Sequence, residues 1–225
     1  MTRAKLLKTS TNNHDVQKNY PNILIYLLAF TSGFSIMGIE LLGGRILAPF
    51  FGSSVHIWGS IITVFMLSLS LGYLLGGKLS TRAPSLSKYG QIFFIAAIMV
   101  LPIALFGQWL MEAVFLSVED SRYGSLLASM VLFFIPTVIL GMLSPYSVRL
   151  LVTNSNESGQ VAGKLYFVST LGSALGTIVT SFYLILWFDI NTIIYSFSAI
   201  LASLGILAIL VHKFKPLTKT ENNYA

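Results

Sequence analysis

The chemically capable side chains of this sequence concentrate in residues 38–58, GIELLGGRILAPFFGSSVHIW, which bring together the carboxylate of Glu40, the guanidinium of Arg45, the imidazole of His56 and the indole of Trp58. An ionisable group beside long apolar runs is costly unless it is paired or hydrated, so it marks binding, gating or proton transfer. A carboxylate there suits a cationic solute or proton coupling, or an ion pair between helices. On an ideal helix Glu40 and Arg45 point about 140° apart and do not meet; the glycines at 43 and 44 would change that by breaking or tightening the helix. Counted from a helix start near Asn22, Glu40 lies about 27 Å along the axis. That places it near the outer interface, the level of a gate or an anchor. Residues 46–51, ILAPFF, bent at Pro49, read as a short interfacial or re-entrant segment. His56 has no second imidazole beside it and reads as a hydrogen-bonded side chain, and Trp58 as an interfacial anchor. Glu40, Arg45, His56 and Trp58 form the candidate substrate-binding or gating set.

Other chemistries have no residues to carry them. The chain has no cysteine, which removes disulfides, thiolate metal sites and a thiol nucleophile. His14, His56 and His212 fall in separate regions, so no metal spacing arises. No glycine-rich dinucleotide motif follows a strand, and there is no phosphate loop, carboxylate pair or serine and histidine constellation. The sequence therefore predicts no catalytic residue, no metal and no cofactor, and argues against an enzyme acting alone.

The elements that must position these groups follow from where charge is missing. Of 225 residues, 55% are hydrophobic and 10% charged, against about 25% charged in an ordinary soluble domain. Charges leave six long gaps, each able to hold the roughly 20 apolar residues that cross a bilayer. They predict an all-α integral membrane protein with six transmembrane helices near 22–44, 57–77, 91–111, 124–148, 165–187 and 191–211. Residues 1–20 read as a polar tail, 21–212 as the six-helix domain and 213–225 as a basic tail. The first apolar run exceeds a signal-peptide core and lacks a cleavage site, so it is expected to be retained. Six spans put both termini on one side. Arg3, Lys5, Lys8, Lys18, Lys78, Arg82, Lys88, Arg149, Lys164, Lys213, Lys215 and Lys219 fall on that side, and only Arg45 and Arg122 opposite, so both ends are expected in the cytoplasm. The formal net charge of +6 is dispersed between apolar runs, which excludes a nucleic-acid face and leaves the lipid bilayer as the partner.

Close helix packing in lipid runs through small residues. Gly72 and Gly76 in the second span, and Gly172 and Gly176 within the row Ser169, Gly172, Ser173, Gly176, Thr177, Thr180 in the fifth, have that spacing and are read as helix contacts. Pro102, Pro136 and Pro145 interrupt apolar runs and are candidate kinks. The segments LGYLLGGKLSTR and LGMLSPYSVRLL end the second and fourth spans alike; an inverted repeat would pair the second with the fifth, so the likeness reports a shared interface. Arg82, Arg149 and Lys164 belong to one basic face suited to docking a partner or anionic headgroups.

Residues 40–82, together with LGMLSPYSVRL at 140–150 and GKLYFVSTLGSALGT at 163–177, resemble the membrane domain of the bacterial fused major-facilitator-like and spermidine synthase proteins. The resemblance implies a half-major-facilitator-like bundle in a bacterial inner membrane. It carries over Glu40, Arg45, Pro49, Gly52, Trp58, Gly72, Gly76, Arg82, Pro145, Arg149, Gly163, Tyr166, Gly172 and Gly176 as motif positions without catalytic roles. In that family a cytoplasmic aminopropyltransferase-like domain follows the helices, and the sequence here stops at Ala225 without its donor site. The resemblance thus implies a non-catalytic membrane module serving a separately encoded, soluble spermidine synthase-like partner. The alternative is a small-molecule transporter or channel for polyamine-like cations, acting as a homodimer.

Overall fold

In the computed structural model, which describes residues 21–152 and 155–214, every regular element is helical. The helices are α1 (Asn22–Phe51), α2 (Val55–Ser80), α3 (Leu86–Ser117), α4 (Ser121–Gly141), α5 (Leu143–Leu151), a 3₁₀ turn (Ser155–Glu157), α6 (Ser158–Val179), a π turn (Thr180–Leu184), α7 (Ile185–Trp187) and α8 (Ile190–Phe214). Six of the resulting rods are long and apolar enough to cross a membrane: α1, α2, α3, α4 with α5, α6 with the π turn and α7, and α8.

Each rod outruns its expected bounds, because a helix ends at its capping groups and not where apolar sequence stops. α1 continues to Gly52, whose φ of 86° suits glycine and whose N–H bonds Ala48 O. The expected re-entrant segment at 46–51 is instead the last turns of α1, with Pro49 inside it. Ser85 caps α3 by accepting from Lys88 N, and Asp120 caps α4 by accepting from Arg122 N at 2.9 Å. Pro102 and Pro136 are carried within α3 and α4; the fourth rod breaks at Met142, between Gly141 and Pro145. The expected tail at 1–20 lies outside the described residues, as do 215–225, while Lys213 and Phe214 finish α8.

The most extensive helix contacts are α3 with α8, α1 with α6 and α2 with α4. In rod order these are third with sixth, first with fifth, and second with fourth. Exchanging the first three rods for the last three leaves that set unchanged, the pairing expected of two inverted three-helix halves. The two segments that look alike in sequence do meet: Gly72 and Gly76 of α2 lie against Gly141 and Met142, so close that a Cβ on either would come within 2.8 Å of a backbone Cα. Gly172 and Gly176 of α6 seat likewise on the backbone of Phe30 and Phe34, and Gly205 of α8 on Gly90 and Phe94 of α3. Side chains of large volume then fill the centre, among them Phe65, Phe93, Phe133, Phe197, Tyr89 and Tyr146, all fully buried.

Candidate functional site

Glu40 stands eighteen residues from the first residue of α1 and eleven from its last, about 27 and 17 Å from the two ends at 1.5 Å per residue. The expectation counted the same distance from Asn22, and the helix runs on beyond Glu40 to Phe51. Because α1 runs on to Phe51, the carboxylate sits only about 5 Å beyond the helix midpoint.

The register of α1 fixes which way Glu40 faces. Gly33, Glu40 and Gly44 lie within about 40° of one another around the helix. Gly33 is covered by Ser169 and Ser173 of α6, with a Cβ there 2.9 Å from Ser173 Oγ. Gly44 is covered by Trp58 of α2, whose Cη2 would lie 2.6 Å from such a Cβ. By register Glu40 falls on the stripe of α1 between these two coverings, α6 over its Gly33 end and α2 over its Gly44 end. These two helices make no extended contact, which leaves Glu40 half-exposed.

The α6 wall is a row of hydroxyls. Ser173 Oγ donates to Ser169 O at 3.2 Å and Thr177 Oγ1 donates to Ser173 O at 3.0 Å, so each oxygen keeps its lone pairs for another donor. Just beyond Thr177 the helix loosens into the π turn, whose first residue, Thr180, is buried and faces Gly38, where a Cβ would stand 3.0 Å from Thr180 Oγ1 and 2.5 Å from the Phe197 ring. The hydroxyl row belongs to the small-residue pattern visible in the sequence. Its position along α1, with Ser173 against Gly33 and Thr180 against Gly38, depends on the α1/α6 register, which no local signal reports.

The four candidate residues do not form one cluster. Arg45 is exposed and makes no ion pair with Glu40; among the described residues the ion pair is Arg122 Nη2 to Asp120 Oδ2 at 2.8 Å. The carboxylate of Glu40 has no hydrogen bond or ion pair among the described residues. His56 is exposed, its Nδ1 lying 3.0 Å from Ser54 Oγ. Trp58, expected as an interfacial anchor, also serves as the lid over Gly44 and is 38% exposed. Trp58 thus covers the stripe of α1 that carries Glu40, whereas Arg45 lies about 140° around that helix. Arg122 holds the Asp120 carboxyl below its ordinary pKa through side-chain and backbone hydrogen bonds.

At the opposite end of the bundle Lys78, Arg82, Arg149, Lys164 and Lys213 are exposed. The α2–α3 turn among them is held by Lys88, whose Nζ donates to Arg82 O at 2.8 Å and Ala83 O at 3.1 Å. Tyr146 of α5 ties the same turn down: its Oη accepts from Ser85 N at 3.1 Å while its ring stacks on Tyr89 at 5.7 Å. Among the described residues no group of three or more His, Cys, Asp or Glu could hold a metal ion. No family model, curated protein or solved structure matches this chain.

Proposed function

We propose that the chain is a multi-pass protein of a bacterial inner membrane, a half-major-facilitator-like bundle with both ends at the cytoplasmic face. In this reading it is the non-catalytic membrane module of a spermidine synthase-like system, and it docks a separately encoded soluble partner on its basic end. The observation that carries this is the division of exposed charge. Lys78, Arg82, Arg149, Lys164 and Lys213 stand with Glu157 at one end of the bundle, and Arg45 and Arg122 with Glu112, Glu119 and Asp189 at the other; the excess of Lys and Arg makes the first the cytoplasmic end. The symmetric helix pairing supports the half-facilitator architecture, which is built from inverted three-helix repeats.

The test is a pull-down of the tagged protein from native membranes in gentle detergent, with mass spectrometry against an untagged control. Stoichiometric recovery of a spermidine synthase-like protein is expected, and its loss from the Arg82→Glu, Arg149→Glu double variant at unchanged expression. Recovery of this chain alone, or undiminished co-purification by the variant, would sink the docking reading. The position of Glu40 near the middle of α1 favours a second reading, a homodimeric transporter for polyamine-like cations. It predicts uptake in proteoliposomes that Glu40→Gln abolishes.

A further inference from the structure

We infer that the cavity between the starts of α1 and α6 binds the headgroup of an anionic phospholipid, with Lys164 as the cation that meets its phosphate. The register of the two helices makes the cavity. Gly172 and Gly176 seat on the backbone of Phe30 and Phe34. The same register, carried back by one and then two turns, sets Tyr26 level with Val168 and Asn22 level with Lys164. Here the close seam ends: a Cβ on Gly163 would meet nothing within 4 Å, and Asn22, Lys164 and Phe167 are exposed. Asn22, Tyr26, Gly163, Lys164, Phe167 and Val168 line an open cavity of about 610 Å³, within the range of about 300–1,000 Å³ for sites that hold small ligands.

Charge and depth select the ligand. The lining supplies an ammonium, a carboxamide and a phenol, all able to donate to phosphate or glycerol oxygens, and no carboxylate. Among the described residues Lys164 has no ion pair. The nearest described carboxylate along the chain, Glu157, precedes it by about 10 Å of helix and is not part of the lining. The rods that begin at Asn22 and Ser158 have 30 residues each, about 45 Å, the depth of a bilayer with its headgroups. Lys164, six residues into its rod, therefore stands about 9 Å from the end, where headgroups give way to hydrocarbon. Basic pockets between membrane helices at this level bind acidic headgroups. A lipid is selected over free phosphate by what leaves the cavity. Phe167, Leu171 and Leu175 are exposed at four-residue steps along the least buried rod and lead from Lys164 toward the bilayer centre, the course of an acyl chain. The inference stands apart from the docking reading, which is tested at Arg82 and Arg149.

The test strips the full chain of lipid in detergent and titrates it, by native mass spectrometry, with dioleoyl phosphatidylglycerol or dioleoyl phosphatidylcholine, which share acyl chains and differ in net charge. One tight phosphatidylglycerol adduct is expected, bound several-fold better than phosphatidylcholine. Lys164→Gln should weaken it about 5–10-fold, the contribution of one lysine at a membrane surface or slightly more. Lys213→Gln, which removes a cation from the same end of the bundle but not from the cavity, should leave it unchanged. If Lys164→Gln fails to stay monodisperse, Gly163→Leu carries the test: its side chain enters open space and should displace the headgroup without disturbing packed helices. Equal binding of the two lipids, undiminished phosphatidylglycerol binding by folded Lys164→Gln or Gly163→Leu, an equal loss in Lys213→Gln, or displacement of the adduct by excess inorganic phosphate would each overturn the inference.

Discussion

The close α1/α6 seam can be tested by adding a single methyl group. In Gly172→Ala the new Cβ would stand 2.9 Å from the Phe30 carbonyl carbon and 3.1 Å from its Cα, and closer still to the carbonyl oxygen. Carbon atoms pack at about 3.5–4.0 Å, so the carbon contact alone makes α6 withdraw by about 0.6–1.1 Å, and the nearer carbonyl oxygen asks for more, from a backbone that has no side-chain rotamer to yield. Overpacking of this kind costs about 1–3 kcal/mol. The substitution also brings a helix-propensity gain of up to about 1 kcal/mol, which would mask part of the loss. Gly163→Ala in the same helix, where a Cβ meets nothing within 4 Å, carries a comparable gain without the clash. The difference between the two variants isolates the contact at about 1–3 kcal/mol, or about 5–150-fold in the unfolding equilibrium. Reversible unfolding in mixed micelles with increasing dodecyl sulfate, followed by circular dichroism, measures it. Gly176→Ala strains the same seam, with Phe34 Cα 2.8 Å from the added carbon. Since one withdrawal of α6 relieves both clashes, the double variant should lose less than the sum of the singles. A difference between Gly172→Ala and Gly163→Ala below about 0.5 kcal/mol, the range of a change that touches nothing, would refute the close backbone approach.

Two further outcomes follow from the ends of the bundle. The native chain has no cysteine, so single cysteines report topology without background. Glu119→Cys should react with a membrane-impermeant maleimide in intact cells and Arg82→Cys only after permeabilisation, and the reverse pattern would invert the proposed orientation. Asp120 has its folded pKa depressed, chiefly by hydrogen bonding to Arg122. Its stabilising contribution is therefore present above the unfolded carboxylate pKa of about 3.9 and lost as pH falls through the lower folded value. The melting-temperature gap between wild type and Asp120→Asn should hold from neutral pH down to about pH 5 and close below about pH 4; a gap that widens on acidification would contradict the pairing.

The number and order of the rods were legible in the sequence because charge is excluded from apolar runs of membrane-spanning length. Their ends were not, because a helix stops at backbone hydrogen-bonding groups. Pro49 lies in the closing turns of α1, where its missing N–H withholds a bond from a single carbonyl, that of Arg45, and the helix absorbs the loss before Gly52 ends it. Reading ILAPFF as a separate segment cut α1 short and set Glu40 near the end of its helix, whereas it stands eleven residues before the last one. Glu40 stood out by its chemistry alone, yet the hydroxyls that meet its helix, Ser173 at Gly33 and Thr180 at Gly38, come from more than a hundred residues later, and only the register of α6 on α1 puts them there.

Gly43 and Gly44 show why such a site resists reading from one strand of sequence. As letters they signal a break, since glycine in a helix interior costs about 1 kcal/mol relative to alanine. In the bundle α1 passes through them unbroken, and the missing side chains are filled from other helices. A Cβ on Gly43 would come within 3.2 Å of Phe133 Cζ, and one on Gly44 within 2.6 Å of Trp58 Cη2. The glycines thus make room for two large aromatics, and the indole over Gly44 reaches the turn above Glu40 because Gly44 has no side chain to hold it off. The choice between break and socket is made by what stands opposite, and here that is supplied by α2 folding back after Gly52 and by α4 crossing from the far side.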